Sequence, residues 1–242
     1  MLWHLDFVIS HLIYMTNIEE LQEKIGVKFK NEDLLLEALT HRSYINENPA
    51  WRLDHNERME FLGDAVLELS VTDHLYRNYP NPEGELTNWR AAIVNAVILA
   101  KISAKFDLND YIMLSRGEAK DTGRARQYIL ANAIEAVIGA IYLDQGYDAA
   151  DEFIKRFIIG ELAEIINQKL YRDAKSRFQE EAQEKVGVTP TYEVMKEWGP
   201  DHARNFVVGV YLGKELIAEG EGLSKQEAQQ QAAEKALAIK GW

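Results

Sequence analysis

The chain has 242 residues, enough for one large domain or two small ones. Hydrophobic residues make up 47% and charged residues 27%, an ordinary globular balance, and with no cysteine there can be no disulfide frame, thiolate nucleophile or cysteine-ligated zinc. The net charge of −12 lacks the basic footprint of most nucleic-acid binders, and neither part of the chain escapes it: residues 173–242 carry 9 Lys+Arg against 12 Asp+Glu, and the first 172 carry 18 against 27. Any nucleic acid bound here must be held by local geometry and groove contacts, with weaker salt-sensitive attraction than usual.

Residues 1–14, MLWHLDFVISHLIY, are apolar but interrupted by Asp6 and two histidines. They lack a basic leading region and a clear cleavage site, and they are too short to span a bilayer. They are read as an N-terminal extension without an assigned role, and no other segment looks transmembrane. Thr16-x-x-Glu19 is a capping box that opens a helix. From there to about Gly160 the pattern is helical. Asn31 caps a helix through Leu34, Leu35 and Leu39, followed by the polar run Thr40-His41-Arg42-Ser43-Tyr44 and a loop over Ile45–Asp54.

His55 to Val71, HNERMEFLGDAVLELSV, begins a helix that continues toward Tyr79. Glu57, Glu60 and Asp64 fall on one side at about 100° per residue. Met59, Phe61, Leu62, Ala65, Val66, Leu67 and Leu69 cover most of the remaining circumference, which predicts a largely buried helix. Acids so close repel and are costly to desolvate, and a hard cation such as Mg²⁺ is the usual resolution. An ordinary surface helix with an acidic face is the alternative.

Pro80, Pro82 and Gly84 then break the chain, and a helix is expected from Glu85 to Phe106 with Ile93, Val97 and Ala100 on one stripe. A polar loop over Arg116–Arg126 leads to YILANAIEAVIGAIYLD, Tyr128–Asp144, apolar on nearly every side and so a buried helix. Asn132 and Glu135 share a face in its middle. An unpaired carboxylate there costs on the order of several kcal/mol. A hydrogen bond to a neighbouring helix would satisfy it, but two such helices together look like the walls of a cation site.

Residues 161–172 are read as a helical linker. Asp173–Val186 is a short helix, and Thr191–Trp198, Arg204–Leu212 and Lys214–Glu221 alternate as strands, with Phe206, Val208, Val210 and Leu212 on one face of the second. Ser224-x-x-Glu227 caps a last helix whose Ala228, Ala232 and Ala236 face the sheet. The expected architecture is mainly α: an all-helical domain over 15–160, the linker, and a small α+β domain of order α-β-β-β-α over 173–242.

The run His55-Asn56-Glu57-Arg58-Met59-Glu60-Phe61-Leu62-Gly63-Asp64-Ala65-Val66 closely resembles the signature of the ribonuclease III family, and Thr40–Tyr44 and Ile129–Ala136 match in order and kind. The last 70 residues resemble a double-stranded-RNA-binding domain, including the Gly-Pro-Asp-His-Ala turn and the Ser-Lys-x-x-Ala helix start. The resemblance covers the chain from about Met15 onward. It implies a cytoplasmic, homodimeric endoribonuclease that hydrolyses double-stranded RNA with Mg²⁺, or Mn²⁺ in its place, and leaves short 3′ overhangs. Processing of rRNA precursors and other RNAs is the expected task. Glu60, Asp64, Asn132 and Glu135 fall on the metal-binding positions, with Asp64 and Glu135 as catalytic acids. Glu57 and Glu83 fall on further acids near the active centre, and Phe61 on an aromatic at the dimer seam. In the second domain Gln179 and Gln183 would meet one minor groove, Pro200, Asp201 and His202 the next, and Lys225 the phosphates between them.

One position departs from the family pattern: Asn132 stands where Asp is usual. An amide oxygen still ligates Mg²⁺, but one negative charge is lost. The substitution reads as a tolerated variant with altered metal preference, a change introduced to trap a complex, or the mark of a protein that binds duplex RNA without cutting. Retention of Glu60, Asp64, Glu83 and Glu135 favours the first. Those acids also count against a purely structural RNA-bound protein, such as a ribosome component.

Overall fold

The computed structural model describes residues 18–168, 174–200 and 204–242. They fall into two units, Met1–Tyr171 and Arg172–Trp242, each with its own core. The N-terminal extension and the capping box expected at Thr16 lie outside the described residues.

The first unit is helical. It comprises α1 (18–25), α2 (Glu32–Ala38), α3 (Arg42–Glu47), α4 (Glu57–Asn78), α5 (Glu83–Ile93), α6 (Ala96–Ala104), α7 (Arg124–Gln145), α8 (Tyr147–Phe157) and α9 (Leu162–Asn167). Asn31 caps α2 as expected, its side chain accepting from Asp33 N at 3.2 Å. The start of the expected loop at Ile45 is instead the end of α3, which His41 caps. The single helix expected over Glu85–Phe106 is two. Asn95 ends the first and caps the second by accepting from Ile98 N at 3.0 Å, and the change of phase leaves Val97 59% exposed. The expected linker also begins inside this unit, because Leu162 and Ile165 of α9 are buried in its core.

Around α7 the core is densest, with Ala131, Ala133, Ile134 and every residue from Ala136 to Ile141 buried. α4 crosses α7 through two glycines. A methyl group added to Gly63 would lie 1.8 Å from the Glu135 carbonyl oxygen, and one added to Gly139 would lie 2.4 Å from that of Met59. Only glycine permits this backbone approach.

In the second unit α11 (Lys225–Lys240) packs against an antiparallel sheet of order β1-β2-β3, formed by Thr191–Trp198, Asn205–Leu212 and Glu215–Gly222, and α10 (Ala174–Val186) packs on α11. Val208 and Val210 point inward as expected, while Phe206 and Leu212 at the strand ends are only half-buried. Ala228, Ala232 and Ala236 are fully buried, and their small size matters because a methyl on Gly220 would come within 2.2 Å of the α11 backbone. Ser224 Oγ accepts from Glu227 N at 3.1 Å, and the Glu227 carboxylate reaches back to Leu223 N at 3.0 Å. Phe178 and Ala182 of α10 complete this core, and Trp242 stacks on Phe178 with ring centroids 5.5 Å apart.

Gly63→Ala forces backbone apart from backbone and should cost at least about 3 kcal/mol, the upper end of ordinary overpacking. Gly84→Ala meets nothing within 4 Å and serves as control. Urea unfolding of both variants measures the difference, and equal midpoints would contradict the crossing described above.

Candidate functional site

The glycine crossing determines which side chains meet. It places the acidic face of α4 against the face of α7 that carries Asn132 and Glu135. Glu135 is half-buried, and its carboxyl is pushed up to about 8, first by burial and then by the charges of Asp64 and Glu60. Glu60 is raised by burial and by the charges of Glu57 and Asp64. The nearby Asn132 amide acts in the opposite direction and lowers it. Asp64 is raised by burial and by the charge of Glu68. No basic side chain among the described residues offsets the charge on these three acids.

Glu57 stands at the exposed rim of this group, 3.8 Å from an Arg42 guanidinium nitrogen and 3.7 Å from His55 Nδ1. Glu60, Asp64, Asn132 and Glu135 are thus brought together as a mutually repelling set with one amide. The side chains do not converge on a point: among the described residues no three His, Asp or Glu form a ready-made metal cluster. As donors, three carboxylates and an amide oxygen are the hard oxygen ligands that suit Mg²⁺ or Mn²⁺.

Glu83 is not part of this set within one chain. It is the first residue of α5, exposed, and lines a separate hollow with Thr72, Tyr76, Tyr79 and Arg90. The remainder of α4 beyond Asp64 separates the two places by about 20 Å at 1.5 Å rise per residue. Phe61 also departs from the expected buried helix. It is 80% exposed, and Leu69 at 57% and Tyr76 at 80% share its outward stripe, so α4 buries only Met59, Gly63, Val66, Leu67, Ser70, Val71 and Leu75.

In the second unit Gln179 and Lys225 are exposed and line one open hollow together with Lys175, Ser176, Gln226, Gln229 and Gln230. Gln183 is exposed one turn further along α10 and donates to Thr189 Oγ1 at 3.2 Å. Lys225, the first residue of α11, lies with Nζ 5.7 Å from the centre of the Phe206 ring. Pro200 is exposed at the end of β1, and Asp201 and His202 lie outside the described residues.

Two side chains not singled out in the sequence matter here. Glu68 extends the stripe of Glu57, Glu60 and Asp64 by one further turn and acts on Asp64; continuing the same spacing would have found it. Lys175 holds the Gln229 side-chain oxygen at 2.7 Å and lies 5.0 Å from the Tyr192 ring centre. Its place one turn before Gln179 was the available signal.

The profile described as Ribonuclease-III-like matches residues 31–162, and that of the double-stranded RNA binding motif matches residues 174–240. Ribonuclease 3 of Borreliella afzelii is 46% identical over 91% of this chain and 90% of its own length. That of Natranaerobius thermophilus is 45% identical over 90% of this chain and 94% of its own. A solved nuclease domain of ribonuclease III from Campylobacter jejuni is 40% identical, with a TM-score of 0.54, over 59% of this chain and 96% of the domain. The chain belongs to the ribonuclease III family, as a ribonuclease whose helical nuclease unit is followed by a double-stranded-RNA-binding domain.

Proposed function

We propose that the chain cleaves phosphodiester bonds of double-stranded RNA with a divalent cation held by Glu60, Asp64, Asn132 and Glu135. The observation that carries this is the acid set gathered at the α4–α7 crossing, where burial first, and then the charges of Asp64 and Glu60, push the Glu135 carboxyl up to about 8. Held there, Mg²⁺ or Mn²⁺ would supply a water nucleophile at neutral pH and offset charge on the leaving oxygen. Glu60 and Asp64 present carboxylates from one wall, and Glu135 would act as a ligand in its carboxylate form from the other. Glu57 is assigned to the edge of the active centre, in keeping with its exposure, whereas Glu83, which stands apart from the set within one chain, would border that centre only from a second copy.

The chain works as a homodimer in this reading. Phe61, Leu69 and Tyr76 form an exposed apolar stripe on α4, and the Campylobacter jejuni domain has a region involved in dimer formation. Each subunit would then cut one strand and leave short 3′ overhangs. No described helix is long and apolar enough to cross a membrane. Work in the cytoplasm on rRNA precursors and other RNAs belongs to the same reading.

In the second unit, Gln179 and Gln183 can both donate to and accept from 2′-hydroxyls in a minor groove, with the Pro200–His202 turn at the next groove. Lys225 and the α11 N-terminus suit the phosphates between them. Four glutamines share the hollow with Lys175 and Lys225, so duplex affinity rests more on shape than on charge.

Titrating Mg²⁺ and Mn²⁺ against a labelled duplex should give product, and Asn132→Asp should raise the rate and lower the metal requirement by restoring a charge. No product at any metal concentration with binding retained would establish the second reading, a duplex-RNA-binding protein that Asn132 has disarmed. Because the folded-state pKa of Glu135 is raised, metal-free stability should fall as pH climbs from about 4.5 to about 8, where the unfolded chain is ionised and the folded one resists ionisation. Thermal scans should show Glu135→Gln flattening that slope and abolishing the stabilisation that Mg²⁺ gives the parent near pH 7.5. Lys225→Ala should weaken duplex binding and reduce the salt slope by about one; an unchanged slope would remove Lys225 from the phosphate contacts.

A further inference from the structure

Asn56 is an unusual helix start. Asparagine before a helix commonly caps its own backbone, yet Asn56 makes no side-chain cap to α4. Its buried amide instead donates to the Ala38 carbonyl at the end of α2, at 3.1 Å, while its backbone N–H donates to the Thr40 carbonyl at 2.9 Å. α7 likewise begins at Gly123 without a side-chain cap. Both acid-bearing helices are therefore held at their N-termini from outside.

The holding groups are connected. Beside Thr40, Met113 N donates to the Leu39 carbonyl at 2.9 Å and His41 N to the Met113 carbonyl at 3.1 Å. The Ser43 hydroxyl lies 2.7 Å from His41 Nδ1 and accepts from Ser115 N at 3.0 Å. Ser115 Oγ in turn accepts from Glu118 N at 3.2 Å. The Arg126 guanidinium, in the first turn of α7, donates to the carbonyls of Glu118, Ala119 and Asp121, each at 3.1 Å. A continuous polar path thus runs from the start of α4 to the start of α7.

We propose that this brace, centred on Ser43 and ending on Asn56 and Arg126, sets the register of the two acid-bearing helices and makes Ser43 and Arg126 positioning residues for the nuclease centre. The glycine crossing fixes how near the helices come, and packing on α2, α6 and α8 supports it along their lengths. The polar path adds a tie at their N-terminal ends, next to the turns that carry the acids and Asn132. Neither Ser43 nor Arg126 needs to touch RNA or metal, and the polar run that includes Ser43 acquires a role.

The proposal rests on the metal-site reading above, and its test separates the two. In the metal-free chain, Ser43→Ala should speed amide exchange about tenfold in the first turns of both α4 and α7 while leaving their distal halves at parental rates. Ser43→Thr, which keeps the hydroxyl, should restore parental exchange. In cleavage of a labelled duplex, Ser43→Ala and Arg126→Ala should raise the half-saturating Mg²⁺ concentration about tenfold, with duplex affinity in chelator unchanged. Faster exchange confined to residues 40–44 and 113–118 would overturn the brace, as would loosened helix ends with unaltered Mg²⁺ saturation. A parent that cleaves fully in chelator would overturn the metal reading alone, and the exchange measurement would then decide the brace.

Discussion

The backbone contact between Gly63 and Glu135 governs the first unit. Where most helices meet through side chains at about 8–10 Å between axes, α4 and α7 meet through Gly63 and Gly139, each set against a carbonyl of the other helix. Acids one residue and one turn away from Gly63 are consequently held beside Asn132 and Glu135 whatever their mutual repulsion. The buried run along α7 supplies the apolar area that offsets this repulsion.

The same contact explains why local rules fail in one place and hold elsewhere. Capping and packing agree with the fold through α2, α6 and the described part of the second unit, but three acids raised by burial and by neighbouring carboxylates contradict any account based on stability alone. Departures of that kind collect where a protein does chemistry. The outward face of α4 is a second departure, of opposite character. Phe61, Leu69 and Tyr76 leave apolar surface in solvent on the helix whose other face gathers charge. One helix therefore carries two unsatisfied demands, one for positive charge and one for apolar cover.

The second unit achieves its packing by making side chains small. Gly220 and the alanines of α11 allow sheet and helix to approach closely, leaving the exposed sides of α10 and α11 free to carry glutamine and lysine. This suits a ligand recognised by the shape of its grooves. A-form RNA offers hydroxyls and phosphates at fixed spacing, and the proposed contacts through a few placed amides would suit it even on a chain with net charge −12.

Much of this was legible in the residues. The acidic spacing of Glu57, Glu60 and Asp64, the apolar run of α7, the alternation of β2 and the box Ser224-x-x-Glu227 are local patterns, and local hydrogen bonding and periodicity suffice to read them. The family resemblance also rests on the sequence alone. The break at Asn95 was a cap hidden inside an apolar run, and the burial of Leu162 and Ile165 depended on a core that short-range pattern does not reveal. Only the tertiary structure decided that Phe61 faces solvent and that Glu83 stands apart from the other acids. It also decided that Asn56 spends its amide on α2 instead of its own helix. Periodicity states which residues share a face, but not what that face meets. Here the answer depended on two glycines, 76 positions apart in the chain, that bring two backbones together.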